Sequence, residues 1–233
     1  MPLPVLDVPT YQTKLPSTSK AVVYRPFLVK EHKILLMLKD ADNQEIHRVL
    51  TEVIDNCTFK KLNVKDLAFF DLVHLFLELR KVSIGEFMDL VINCECGAKI
   101  DTRVNLNDAK VITAKKIENR IKIHNNVAIE LRYPHLLESL EAYTTTNVEN
   151  VMDLLCDCIV GVHDLANDEF HSARDLTKQE ILEYLENLNS GQLQKLVNFF
   201  ENMPKVSLAV VADCPSCKKH HDLKLEGLDN FFV

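Results

Sequence analysis

Two short cysteine-bearing stretches constrain this chain more than any other feature. "NCECGAKI" occupies residues 93–100 and "DCPSCKKHH" occupies residues 213–221. Short runs of alternating apolar and polar residues flank each of them: "EFMDLVIN" and "AKIDTRVNL" around the first, "KVSLAVVAD" and "HDLKLEGL" around the second. A period of two marks a half-buried strand, so each cysteine pair is expected in the turn of a β-hairpin. A thiolate pair in a tight turn supplies half of a tetrahedral shell, and two such turns complete it. Cys94, Cys96, Cys214 and Cys217 are therefore expected to share one structural zinc ion (Zn2+) in a zinc-ribbon-like site. The fold must then bring distant hairpins side by side.

The two halves differ in spacing. Cys214-Pro215-Ser216-Cys217 carries the usual two intervening residues, whereas Cys94-Glu95-Cys96 carries one. The shorter turn strains a shared ion, and His220 or His221 is placed to substitute for one sulfur in a three-cysteine, one-histidine shell. Gly97 suits a knuckle that needs positive φ. Lys99, Lys218 and Lys219 lie close enough in sequence to offset the negative charge of a zinc tetrathiolate. A closed shell has no open position for water or substrate, so the metal is expected to hold the chain together and not to do chemistry.

Composition points the same way. The chain has only 5 glycines in 233 residues and no tryptophan. Phosphate-wrapping loops and strained catalytic turns usually draw on glycine, and neither G-x-G-x-x-G, G-x-x-x-x-G-K-S/T nor G-x-S-x-G occurs. No enzyme activity and no small-molecule substrate are expected. The net charge of −7 opposes nucleic-acid binding, and the longest basic cluster is only Lys218-Lys219-His220-His221. "MPLPVLDVPTYQ" has neither the basic start nor the apolar run of a signal peptide, and no stretch of about 18 apolar residues would span a membrane. Seven cysteines without an export signal fit reduced thiols, some of them on metal.

Elsewhere the period alternates between strand and helix, which gives an α+β fold: helical clusters with short antiparallel β-hairpins. Residues 1–29 are proline-rich and extended, with a strand in "KAVVYRPFLV". Helices are expected in "KEHKILLMLKD", in "NQEIHRVLTEVIDNC" capped by Asp42 or Asn43, and in "NVKDLAFFDLVHLFLELRKV" capped by Asn63, with His74 at its core edge. "IENRIKI" and "VAIELRY" form a hairpin around "HNN". "NVENVMDLLCDCIVGVHDL" reads as one helix, with Val148, Val151, Met152, Leu155, Ile159 and Val162 on its apolar stripe. Thr177 and Glu180 form a capping box, and Ser190 opens a last helix. Cys156 and Cys158, two apart on a helix, point to different sides and cannot chelate together, so at least one of them is expected to pack in the core, as is Cys57. Residues 1–82 are assigned to an N-terminal arm and helical region. Residues 83–133 with 204–233 form the ribbon-like hairpin module, and 134–203 a helical insertion. No repeat period appears.

"LPVLDVPTYQTKLPSTSKAVVYRPFLVKEHKILLM", then "IDNCTFKKLNVKDLAFFDLVHLFLELRKVSIGE" and the C-x-C-G hairpin, resemble the baseplate protein family of T-even-type tailed bacteriophages, a family of hub subunits and hub assembly catalysts. The similar text covers residues 2–100, and the "CPSC" hairpin extends it to the C-terminus. The family's usual first knuckle has two residues between its cysteines, where this chain has Glu95 alone. The resemblance implies a non-enzymatic protein that takes part in building the central hub of a contractile tail. Its partners would be other baseplate hub proteins, in the host cytoplasm during assembly or in the virion tail. An extended apolar arm loses little entropy on lying along a partner, so Pro4, Leu6, Pro9, Tyr11, Leu15 and Pro16 are the expected partner-binding residues, the alternative being that the arm packs on its own domain. The alternative from another class is a zinc-ribbon adaptor that binds nucleic acid or RNA polymerase through "KKHH".

Overall fold

The structure is a computed structural model that describes residues 7–113, 118–144 and 148–228. The fold is α+β. It divides into two compact units, one of residues 1–112 with 205–233 and one of residues 113–204.

The first unit opens with a hairpin, β1 (Tyr11–Lys14) against β2 (Ala21–Tyr24). Val22 and Tyr24 face inward while Ala21 and Val23 face out, the alternation expected of a strand with one covered face. Helix α1 (Val29–Leu36) follows, and its Glu31 side chain accepts the backbone N–H of Leu28 at 2.7 Å. In α2 (Asn43–Cys57), Asp42 is the cap and accepts from the Glu45 N–H at 2.8 Å. That helix ends without glycine: Phe59 and Lys60 take φ of 60° and 56°, and the Lys60 N–H bonds back to the Asp55 carbonyl.

The third helix starts later than the pattern implies. Val64–Asp66 form a 3-10 turn in which Asn63 bonds to the Asp66 side chain, and α3 runs from Phe69 to Ser83 with Ala68 before it. Val64 and Leu67 are buried, and pulling both into the core breaks the helical path ahead of Phe69. α3 is the central helix of the unit: Leu72, Leu75 and Leu79 are wholly inaccessible. The hairpin of β3 (Phe87–Asn93) and β4 (Lys99–Asn105) follows in full register from Phe87↔Asn105 to Asn93↔Lys99, and then β5 (Lys110–Ile112).

The second unit is a four-stranded antiparallel sheet with helices. Strands β6 (Arg120–His124) and β7 (Val127–Leu131) form the hairpin expected around "HNN". That hairpin was expected in the ribbon module. Its inner strand instead pairs with β8 (Ile159–Asp164), which pairs with β9 (Glu169–Ser172), so it belongs to this unit. Helices α4 (Leu136–Thr144) and α5 (Val148–Cys158) connect β7 to β8. The stretch expected as one long helix therefore changes to strand at Ile159. Its β-branched "IVGV" suits a strand, and backbone pairing with β7 outweighs the helical spacing of Ile159 and Val162. α6 (Lys178–Glu186) begins at the expected Thr177–Glu180 capping box, while α7 (Ser190–Glu201) is capped by Asn189, one residue before the expected Ser190. Ile129, Leu131, Leu155, Ile181, Leu185, Leu196 and Phe199 make up this unit's core.

The chain then returns to the first unit. β10 (Lys205–Asp213) pairs with β5 on one side and with β11 (His220–Glu226) on the other, giving the order β11-β10-β5.

Gly161 in β8 has no room for a side chain, because a Cβ there would lie 2.5 Å from the His171 carbonyl oxygen and would also meet the Phe170 ring. We expect Gly161→Ala to destabilise the protein by about 1–3 kcal/mol, the usual cost of overpacking a close contact. Urea denaturation with an unchanged midpoint would show that β9 yields freely.

Candidate metal centre

Both cysteine pairs lie at hairpin tips, as their flanking strands imply. The last pair of the β3–β4 ladder is Asn93↔Lys99, and the Cys94 N–H bonds to the Ala98 carbonyl at 2.9 Å beyond it. Within the turn the Gly97 N–H bonds to the Cys94 carbonyl at 2.9 Å, with Gly97 at φ +86°. The β10–β11 ladder ends at Asp213↔His220 and is followed by the same pattern, Cys214 N–H to the Lys219 carbonyl at 2.9 Å and Lys218 N–H to the Cys214 carbonyl at 3.0 Å. Here Lys218 takes the positive φ, 59°. The two knuckles differ by one residue in length but share one hydrogen-bonding plan, so the shorter C-x-C turn still aims both sulfurs to the same side.

The sulfurs converge. Cys94 Sγ lies 3.6 Å from Cys217 Sγ, and Cys96 Sγ lies 3.6 Å from Cys214 Sγ. All four Sγ atoms fall within 4.8 Å of one another. A disulfide would need about 2.05 Å. A tetrahedron with metal–sulfur bonds of about 2.3 Å has sulfur–sulfur edges of about 3.8 Å, close to the observed separations. The donor set and its spacing therefore fit one four-coordinate soft ion. Cys94 and Cys214 are buried at the inner side of the cluster, with Cys96 and Cys217 exposed.

The surroundings favour thiolate formation. Backbone N–H groups of Cys217 and then Ser216 point at Cys214 and bring its thiol down to about 6. At Cys94 the Cys96 N–H acts in the same sense, but burial and the three neighbouring sulfurs outweigh it and push that thiol up to about 12. One negative charge forms readily in the cluster and resists the next, as expected of like charges sharing a small space. A divalent cation among the sulfurs supplies the opposite charge that removes this repulsion.

The histidines take other positions. His220 Nδ1 faces Asp213 Oδ1 at 2.7 Å, and His221 Nε2 lies 3.3 Å from Cys94 Sγ, outside the four-sulfur group. Lys219 bridges the knuckles, its Nζ 2.7 Å from Glu95 Oε1. Sequence reasoning had no signal for the Glu95–Lys219 pair, since it exists only once the tips meet.

The remaining candidates are placed as follows. Pro4 and Leu6 lie outside the described residues. Tyr11 is exposed on β1 and stacks on Tyr24 with ring centroids 5.9 Å apart, and Pro9 is exposed with Pro16 half-buried. Leu15 is only 3% exposed, so its side chain belongs to the core of its own unit. His74 is a core-edge residue: its Nε2 lies 3.0 Å from Thr13 Oγ1, and burial lowers its pKa. Cys57, Cys156 and Cys158 are buried. No helix among the described residues is long and apolar enough to cross a membrane.

The model of the family described as "T4 bacteriophage base plate protein" matches residues 8–233, which takes in both units and both knuckles. This chain belongs to that family. It is also 26% identical over 215 residues to the baseplate hub assembly protein gp26 of Enterobacteria phage T4, across 92% of this chain and 93% of that protein. No solved structure matches it. Membership gives the chain a structural role in the phage baseplate, and the family match extends through the helices of residues 135–203 that the sequence text left the least distinctive.

Serine at a ligand position removes one thiolate. We expect Cys96→Ser and Cys214→Ser both to abolish stoichiometric metal retention and to lower the melting temperature by roughly 10 °C, because structural metal binding is coupled to folding. Equal melting temperatures in all three proteins would mean that the cluster bears no load.

Proposed function

We propose that this protein acts in assembly of the baseplate central hub, as a non-enzymatic piece that works through protein–protein contacts and is stiffened by a structural zinc ion. The observation that carries this reading is the family match from residue 8 to residue 233, together with the likeness to a protein named for hub assembly. Cys94, Cys96, Cys214 and Cys217 would hold the zinc in a zinc-ribbon-like site, and the ion would supply charge neutralisation and a cross-link. Four sulfurs around one ion leave it coordinatively closed, which supports a structural role over catalysis.

The N-terminal hairpin supports a docking role. Tyr11 and Val23 are 40% and 46% exposed on paired strands, and Leu36 and Met37 are 66% and 79% exposed at the end of α1. Beside β2 a cavity of about 380 Å³ is lined by Thr10, Lys20, Val22, Val23, Phe59 and Leu62. An extended segment of another hub protein could add to β2 there and place alternate side chains in the cavity. Pro9, Tyr11 and Pro16 would border that contact, with Pro4 and Leu6 preceding it. The place of action would be the host cytoplasm during assembly, with the tail baseplate as its destination. Neither similar protein name mentions nucleic acid or polymerase, and the net charge of −7 opposes an adaptor role there.

Elemental analysis should find about one zinc per chain, the stoichiometry of a single tetrahedral site. A zero content with melting unaffected by chelators would remove the metal. For the docking role, wild-type protein should co-purify with hub components from infected cells. Tyr11→Ala combined with Val23→Asp should lose them while keeping its zinc. Hub proteins recovered equally with the variant would place the contact elsewhere, and none recovered with the wild type would overturn the role itself.

A further inference from the structure

The two units contain the same junction. In the first, the hairpin β1–β2 leads into Arg25, then α1, then α2, which ends at Cys57. In the second, the hairpin β6–β7 leads into Arg132, then α4, then α5, which ends at Cys158. Apart from a 3-10 turn at Met37–Asp40 between α1 and α2, the order of described elements is the same, and the arginine is placed alike in each.

The backbone N–H of Arg25 bonds to the Cys57 carbonyl at 3.0 Å, and that of Arg132 bonds to the Cys158 carbonyl at 2.9 Å. Each guanidinium donates to the carbonyl of the next residue, Pro26 at 2.8 Å and Tyr133 at 3.2 Å. Each pairs with a glutamate six residues on, Arg25 with Glu31 at 2.9 Å and Arg132 with Glu138 at 2.6 Å. The second oxygen of that glutamate accepts the backbone N–H three residues before it, Leu28 at 2.7 Å and His135 at 2.8 Å, and so caps the helix that follows. The cysteine thiol closes the group in both: Cys57 Sγ accepts from Arg25 at 3.8 Å, and Cys158 Sγ donates to Glu138 at 3.8 Å. A lone Arg–Glu pair at this spacing would be unremarkable. Four matching contacts in the same order of strand, helix and helix, with a buried cysteine thiol touching the Arg–Glu pair in each, are not explained by helix capping alone.

We infer that the chain holds one hairpin–helix–helix module twice, residues 11–57 and 120–158, each locked by its own Arg–Glu–Cys latch. Arg25 and Arg132 are equivalent positioning residues: each ties the end of a hairpin to the last turn of a helix two elements away. Burial pushes the Cys57 thiol up to about 11 and raises Cys158 as well, so both sulfurs stay protonated packing groups within the latch. The copies diverge after the second helix. The first continues to α3 and the knuckle hairpin, and the second turns at once into β8. They also differ in burial: the Arg25 and Glu31 side chains are 13% and 2% exposed, against 31% and 19% for Arg132 and Glu138, so the first latch should be the more sensitive.

Hydrogen-exchange mass spectrometry on the full-length protein tests this. Arg25→Met should speed exchange by about tenfold or more in β1–β2, α1 and the last turn of α2, while leaving residues 118–158 unchanged. Arg132→Met should produce the mirror pattern in β6–β7, α4 and the last turn of α5. Loosening that ignores these boundaries, such as an effect of Arg132→Met confined to α6 and α7, would overturn the inference. Because Arg25→Met can prevent folding, Glu31→Gln gives a second reading that keeps the buried side chain close to its own size and leaves the Phe27 N–H on Ser83 Oγ. It should speed exchange in β1–β2, α1 and the last turn of α2, and Glu138→Gln should do the same in β6–β7, α4 and the last turn of α5. Exchange unchanged by both substitutions would show that neither glutamate closes a latch.

Discussion

A three-residue strand pairing holds the first unit in its present form. Lys205, Val206 and Ser207 of β10 lie against Ile112, Val111 and Lys110 of β5, and through this contact the chain returns after residues 113–204 to the sheet it left. Closing so long an excursion costs little more than closing a short one, since loop entropy grows only with the logarithm of length. The compensating free energy comes from β10 itself. Val206, Leu208 and Val210 are buried along one face, and Ser207 is buried as well, so the strand is a central element sandwiched between neighbours. With β10 in place β11 follows by a tight hairpin, and the second cysteine knuckle is carried to the first.

The sulfur cluster sits where two hairpin tips would otherwise be free. Hairpin ends fray because their last ladder bonds are unsupported on one side. An ion held by the four sulfurs would constrain both ladders at their weakest point, and the Glu95–Lys219 pair adds an exposed contact worth little by itself. The chain achieves this with few glycines. Lys218 accepts positive φ in one knuckle and Gly97 in the other, while Phe59 and Lys60 do so after α2. Lys218, Phe59 and Lys60 each carry a small local strain that the surrounding hydrogen bonds must hold, whereas Gly97 carries none.

A repeated latch ties a hairpin to a pair of helices within each of the two units. In each copy an arginine satisfies a helix terminus, a carbonyl and a carboxylate together, so the hairpin and its helices are ordered as one piece. Such ordering within each unit suits a structural protein of the phage baseplate.

Several features were legible in the residues alone. The alternation around Cys94–Cys96 and Cys214–Cys217 placed both knuckles at hairpin tips. The capping signals at Asp42 and Thr177, and the apolar stripes of α1 and α2, placed those helices. Local chemistry determined these, because strand period and capping act over a few residues. Other features were not. Ile159 and Val162 have helical spacing while the β-branched "IVGV" suits a strand, and only the partner strand β7 decides between them. Leu15 looks like part of an exposed arm until its own unit buries it. The Arg–Glu–Cys latch joins residues that are neighbours only after folding, and the sequences around Arg25 and Arg132 share too little for a repeat to be seen. The amino-acid sequence thus determined the elements and the cysteine donors. The tertiary structure decided which strands pair, that four sulfurs meet, and that one module occurs twice, because those outcomes depend on contacts between segments whose separation along the chain carries no local signal.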